Sequence, residues 1–328
     1  MPEIAGKQIG PIGYGLMGLT WRASPPSESQ SFAAMRASLA TGANFWNAGE
    51  FYGTPTHNSL TLLNRYFEKY PEDAEKVVLS VKGGLVNMKP DGTAEGVRRS
   101  VENCLSLLGG KKGIDVFECA RVDKNVPIEE TMRALEGLVR EGKIGGVALS
   151  EVSAETVRRA AKVTKIVAVE VELSLWSLDV LSNGVAEACA QHNIPMVAYS
   201  PIGHGMLTGD IKSPDDIPEN DMRKKMPRFR PENFSKNLDL VKELQVIAER
   251  KGVTPAQLAL AWLRSMSKKD GKPEIIPIPG ATTEARVLEN SKDVTLSAGE
   301  LKAIDEILKD FKVVGDRYDE HGMAHCEG

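Results

Sequence analysis

Tyr52 and Lys82 are the residues of this chain best suited to chemistry. Each closes a short apolar run and is followed by glycine: Phe45-Trp46-Asn47-Ala48-Gly49-Glu50-Phe51-Tyr52-Gly53 in one case and Val77-Val78-Leu79-Ser80-Val81-Lys82-Gly83-Gly84 in the other. A phenol is a weak acid, with a reference pKa near 10, and an ammonium beside it favours the phenolate and eases release of the proton. Such a pair can protonate an oxygen that is gaining negative charge. It can do so only if a fold brings the two run ends together.

The apolar runs are the elements that must do the positioning. Strands are expected over 12–15, 45–47, 77–81, 114–119, 145–149, 167–171, 196–199 and 275–278, mostly as near-continuous hydrophobic runs, the pattern of parallel strands buried on both faces. Helix-like segments lie between them. Pro127 opens one beside Glu129 and Glu130, and Ser153-Ala154-Glu155 opens another with its Glu in the first turn. Eight strands alternating with helices over this length predict an α/β chain folded as a single (β/α)8 TIM barrel, one domain spanning 1–328. Gly13-Tyr14-Gly15-Leu16-Met17-Gly18 spells a dinucleotide fingerprint, but Trp21, Pro25 and Pro26 follow where a helix is required, so it reads as a loop leaving the first strand. Residues 204–234 carry four prolines and no clear period and are expected to form a long loop after the seventh strand. Arg223, Lys224, Lys225, Arg228 and Arg230 make that loop locally basic.

Composition excludes several classes of function. The 328 residues are 41% hydrophobic and 26% charged with a net charge of -4, which offers no basic field for nucleic acid or an anionic membrane. No apolar stretch is long enough to span a bilayer and no signal peptide is evident, so a cytoplasmic or nuclear compartment is expected. Cys104, Cys119, Cys189 and Cys326 are widely spaced, as reduced thiols are, and His321, His325 and Cys326 in the tail are not assigned a metal.

Five ordered segments resemble the aldo-keto reductase family, over about Gly10 to Phe311. These are the segment around Asn47 and Tyr52, Asp115-Val116-Phe117-Glu118-Cys119-Ala120-Arg121-Val122-Asp123, Gly142 to Glu151, Ala198 to Gly203, and Ile276 to Ala281. The resemblance implies hydride transfer from NADPH to an aldehyde carbonyl, with Tyr52 as the acid and Lys82 as its tuning cation. Two of the family's four catalytic positions depart from its pattern. Its Asp reads Asn47, which can accept a hydrogen bond but brings no countercharge to Lys82, and its His reads Ala120. Within the family this combination is most similar to the pyridoxal reductases, which reduce pyridoxal to pyridoxine. The departures leave two readings: a pocket remodelled for a bulky polar aldehyde, or a barrel with little turnover that senses cofactor or serves as a regulatory subunit.

The resemblance also assigns a cofactor surface. Ser150 falls where the family binds the nicotinamide carboxamide, followed by Glu151 where an Asn is usual, and Glu170 stands for the family's Gln. Tyr199 would stack on the nicotinamide, and Ser200, Ile202, Gly203, Gly205 and Leu207 would lie near the pyrophosphate. Thr282, Thr283 and Arg286 would hold the 2'-phosphate, favouring NADPH, although a lysine common before them reads Gly280. Glu289 and Asn290 would meet the adenine. Trp21, Trp46, Phe51 and Trp176 are candidate pocket walls around Ala120. A monomer acting on a small-molecule aldehyde is expected.

Overall fold

A computed structural model gives the fold, and it describes residues 1–326 and 328. Eight strands lie side by side in chain order: β1 (Tyr14–Gly15), β2 (Phe45–Gly49), β3 (Val78–Gly83), β4 (Val116–Cys119), β5 (Val147–Ser150), β6 (Ile166–Glu172), β7 (Met196–Tyr199) and β8 (Ile275–Pro277). Every neighbouring pair is parallel. The sheet closes on itself, because the Gly13 amide donates to the Pro277 carbonyl at 2.9 Å, the Gly15 amide donates to the Pro279 carbonyl at 3.2 Å, and Gly15 bridges Gly280 in parallel. This is the expected (β/α)8 barrel, with boundaries one or two residues from those read in the sequence.

The glycine fingerprint is explained by that seam. A Cβ on Gly13 would stand 2.9 Å from Ile278 Cγ2, and one on Gly15 would stand 3.0 Å from the Ile278 carbonyl oxygen. Glycine lets the first and last strands approach; only a four-residue helix, Met17–Thr20, follows. The helices open where expected, over Ile128–Arg140 after Pro127 and over Ala154–Ala161 with Ser153 accepting from the Thr156 amide.

Strand parity divides the side chains into two cores. Trp46, Leu79, Phe117, Val147, Leu149, Val169, Val171, Met196 and Ala198 share a large cluster with the helices. Phe45, Val78, Val116, Ala148, Ala168, Val197 and Ile276, one from each of β2 to β8, form a separate cluster inside the barrel. Ile4 and Ile9 join the second cluster from an antiparallel hairpin, Glu3–Ile4 with Lys7–Gln8, that closes the barrel floor. That hairpin is too short to be read from the sequence.

The segment after β7 is built of short turns at Gly203–Thr208, Pro214–Asp216, Met222–Lys225 and Pro227–Phe229, and helix Pro231–Lys251 begins sooner than the expected loop end. Its basic side chains are largely engaged. Arg223 pairs with Asp221 and Lys224 with Glu219, while buried Arg228 donates to the Trp176 carbonyl at 2.7 Å and to Ser177 Oγ at 2.6 Å.

Candidate active site

Two residues beyond the apolar floor, the barrel interior becomes charged. Lys82 on β3 is paired in register with Glu118 on β4, and its Nζ lies 3.2 Å from Glu118 Oε1. From the far side, Glu170 on β6 accepts a short hydrogen bond from Lys82 through Oε1, while its Oε2 accepts from Asn47 Nδ2 at 2.7 Å. Asn47, Lys82, Glu118 and Glu170 are all at most 4% exposed. Lys82 therefore has charged partners, contrary to the expectation drawn from Asn47 alone. Burial by itself would lower the ammonium pKa, but the Glu118 and Glu170 charges outweigh it and hold Lys82 protonated, well above its ordinary value.

Glu118 is in the opposite situation. Neither of its oxygens has a hydrogen-bond partner among the described residues. Burial and the nearby Glu170 charge push its pKa well above the carboxylate range, with Lys82 opposing. Two carboxyl groups beside one ammonium in a buried interior are coupled, so a proton bound there belongs to the pair and not to one residue.

Tyr52 is brought to this cluster by the backbone of β2. Its ring packs on Gly49, where a Cβ would stand 2.8 Å from the ring, and Gly49 is the register partner of Lys82. Trp21 stacks on Tyr52 at 5.8 Å between ring centroids, and Phe51 meets both rings edge-on. Burial raises the Tyr52 hydroxyl to about 12; Lys82 pulls it down, while Glu170 and Glu118 push it up. Trp21 and Phe51 thus stand beside the candidate acid. Trp46 does not: neighbours on a strand point to opposite faces, so with Asn47 inward Trp46 is turned toward the helices, donating to Ser38 Oγ at 2.9 Å. Trp176 is buried against Phe229. Ala120, two residues beyond Glu118 at the end of β4, is 2% exposed.

A second charged group sits at the mouth and was not foreseen. Arg317 makes paired hydrogen bonds to Glu151, at 3.1 and 2.9 Å, and approaches Glu172 at 3.5 Å. Tyr199 donates to Glu151 at 2.9 Å and lies 3.0 Å from the Tyr318 hydroxyl. Burial would raise the Glu151 pKa, but Arg317 holds it below the ordinary range; Glu172, opposed in the same way by His204, Arg317 and Arg228, falls to about 2. Glu118, Glu172, Arg317 and Tyr318 are the members that the sequence reading missed. Parity could have found the first two, since Glu118 shares a face with Val116 and Glu172 shares one with Glu170.

The assigned cofactor residues fall into two places. Ser150 is the register partner of Glu170, and its Oγ is buried with no partner among the described residues, an orphan suited to the amide of a nicotinamide. Glu151 and Glu170 have their oxygens committed to Arg317, Tyr199, Lys82 and Asn47. Tyr199 lies with its ring 5.6 Å from Lys82 Nζ, and Ser200, Ile202, Gly203, Gly205 and Leu207 continue along the rim. Glu151, Ser200 and His204, at or beside the site, all have φ near +50°. Thr282, Thr283, Arg286, Glu289 and Asn290 lie after β8, on and before helix Glu284–Asn290. There Arg286 pairs with Asp210 at 2.5 Å and Glu289 at 2.8 Å.

A profile of the aldo/keto reductase family matches residues 11–309. The chain belongs to the aldo/keto reductase family. It is accordingly an oxidoreductase of a family that uses nicotinamide cofactors. It is 43% identical over 327 residues to "Probable pyridoxal reductase 2" of Schizosaccharomyces pombe, covering 97% of each chain. A Saccharomyces cerevisiae protein also named for pyridoxal reductase activity is 41% identical over 331 residues, covering 94% of this chain and 95% of its own. The glycerol dehydrogenase AKR11B4 of Gluconobacter oxydans superposes with a TM-score of 0.81 at 24% identity over 96% of each chain, a likeness of fold. Among the described residues no helix is long and apolar enough to cross a membrane, and no cluster fit to hold a metal is present.

Proposed function

We propose that this protein reduces the aldehyde of pyridoxal to the alcohol with NADPH. The observation that carries the reading is the Tyr52–Lys82 arrangement: a phenol packed on Gly49, the register partner of a buried ammonium, in a chain 43% identical to a protein named as a pyridoxal reductase. Bound, the cofactor supplies a hydride to the carbonyl carbon. Tyr52 gives its hydroxyl proton to the carbonyl oxygen, leaving an alcohol and a phenolate that Lys82 stabilises until solvent restores the proton. Ser150 orients the carboxamide through its free Oγ. Trp21 and Phe51 wall the substrate, and Ala120 leaves room for a substituted ring. Arg286 favours NADPH by sharing its fork between Glu289 and a 2'-phosphate, at the expense of the exposed Asp210 pair. A single-domain monomer acting on a small aldehyde is consistent with these assignments.

The test is NADPH consumption by the purified chain with pyridoxal and with a small unbranched aldehyde. Turnover of pyridoxal is expected. Tight NADPH binding without turnover of any aldehyde would replace the reductase reading with that of a cofactor-sensing barrel.

A further inference from the structure

Lys82 and Asn47 carry a second consequence, which rests on the reading of Tyr52 and Lys82 as the acid and its cation. We propose that Glu170 is the counterion and positioning residue of Lys82, with the carboxylate on β6 and the amide on β2 forming one exchangeable pair. Three observations support this. Both Glu170 oxygens are already used, one by Lys82 and one by Asn47, so neither is free for a ligand. Asn47, which carries no charge, reaches the ammonium only through Glu170 among the hydrogen bonds described. Glu118 offers a second oxygen at 3.2 Å with no described hydrogen bond, the more distant of the two carboxyl contacts to the ammonium.

The ammonium thus has two carboxyl contacts, a hydrogen bond to Glu170 and a longer approach to Glu118. The groups facing Lys82 are Glu118 from β4, Glu170 from β6, the Tyr199 ring from β7 and Tyr52 beyond β2. Because Asn47 and Glu170 bond to each other, moving the carboxylate to position 47 and the amide to position 170 keeps an amide–carboxylate pair across the same barrel. That exchange separates a counterion from a cofactor contact.

Three variants decide it: Glu170→Gln, Asn47→Asp, and the two combined. Glu170→Gln should lower kcat on the order of tenfold or more and move the alkaline limb of the kcat profile to lower pH, because Lys82 loses the partner that keeps it charged. Affinity for NADPH, measured by fluorescence titration without substrate, should stay within about twofold of the parent. The combined variant should recover most of kcat and return the limb toward its original pH. The melting midpoint of the cofactor-free protein should follow the same order, falling by several degrees in Glu170→Gln and recovering in the combination. This melting cycle needs no substrate, so it decides the counterion even if no aldehyde is reduced and the reductase reading fails. A combined variant no better than Glu170→Gln in both kcat and melting overturns the proposal, as does weakened NADPH binding with an unmoved pH limb. If Glu170→Gln does not fold, recovery of soluble protein in the combination supports the proposal and its absence overturns it.

Discussion

The floor and the mouth of the barrel are made by the same strands, yet they solve opposite problems. On the floor, Phe45, Val78, Val116, Ala168 and Val197 form a dry apolar layer. Two residues further along, the same strands carry Asn47, Ser80, Glu118, Glu170 and Tyr199, all but Tyr199 buried as deeply. The floor gains from every group removed from water. The mouth buries charges whose desolvation is offset only by their partners, a poor arrangement for stability and a good one for holding proton donors at fixed potential. Stability and chemistry are thus separated by one step of the strand period.

The largest effect should come from Tyr52→Phe, which deletes the candidate acid and leaves its apolar packing. NADPH consumption should fall about 10² to 10⁴-fold, the usual contribution of a positioned acid, while NADPH titration shows binding retained. A parent-like rate would remove the mouth's claim to chemistry.

Next is Arg317→Met, which takes from Glu151 its hydrogen-bonded cation and from Glu172 one of its three cationic partners. Unfolding by urea at neutral pH should show a loss of about 3 kcal/mol, as for other broken buried pairs. The effect depends on pH. Glu151 and Glu172 have depressed values in the fold, so the stability they contribute is present above the ordinary carboxylate range. For Glu172 it is lost as pH falls toward about 2. The Arg317→Met variant should therefore show a shallower acid loss than the parent over that window. Equal slopes would mean that other carboxylates govern acid unfolding.

Arg286→Ala moves away from the mouth and should act on the cofactor alone. Loss of a charge-assisted contact is worth about 1.5 to 3 kcal/mol, so the dissociation constant for NADPH should rise some tenfold or more while that for NADH barely moves. Titration with both cofactors checks it, and equal weakening would place the 2'-phosphate elsewhere.

Ala120→His should have the smallest effect, and it should differ in sign. Filling the space beyond Glu118 should lower kcat/KM for pyridoxal several-fold, and a small aldehyde should be spared or helped by the added donor. Parallel changes in the two substrates would show that Ala120 does not shape the pocket.

How much of this was legible in the sequence follows from which interactions are local. The eight strands are readable because burial on both faces writes itself as continuous apolar runs, and Tyr52 and Lys82 stand at the ends of two of them. Trp46 was misplaced by its proximity to Tyr52 in sequence, although the alternation that puts Asn47 inside puts Trp46 outside. Asn47 suggested that Lys82 lacks a countercharge because its substitute counterion, Glu170, lies 123 residues away across the barrel. Arg317 could not be placed at all. Its partner Glu151 is 166 residues away, and nothing periodic in the tail points to it.

The hairpin on the barrel floor bears on how the chain is made. Ile4 and Ile9 find their places in a layer that includes Ile276 and Ile278. A ribosome adds roughly 5 to 20 residues per second, so these two isoleucines wait tens of seconds before the last strand exists to cover them. Contacts between such distant stretches form slowly, since a long loop must close first. During that wait the nascent chain presents an apolar segment to its surroundings, and polar replacements at Ile4 and Ile9 would be expected to trade final stability for less aggregation during synthesis.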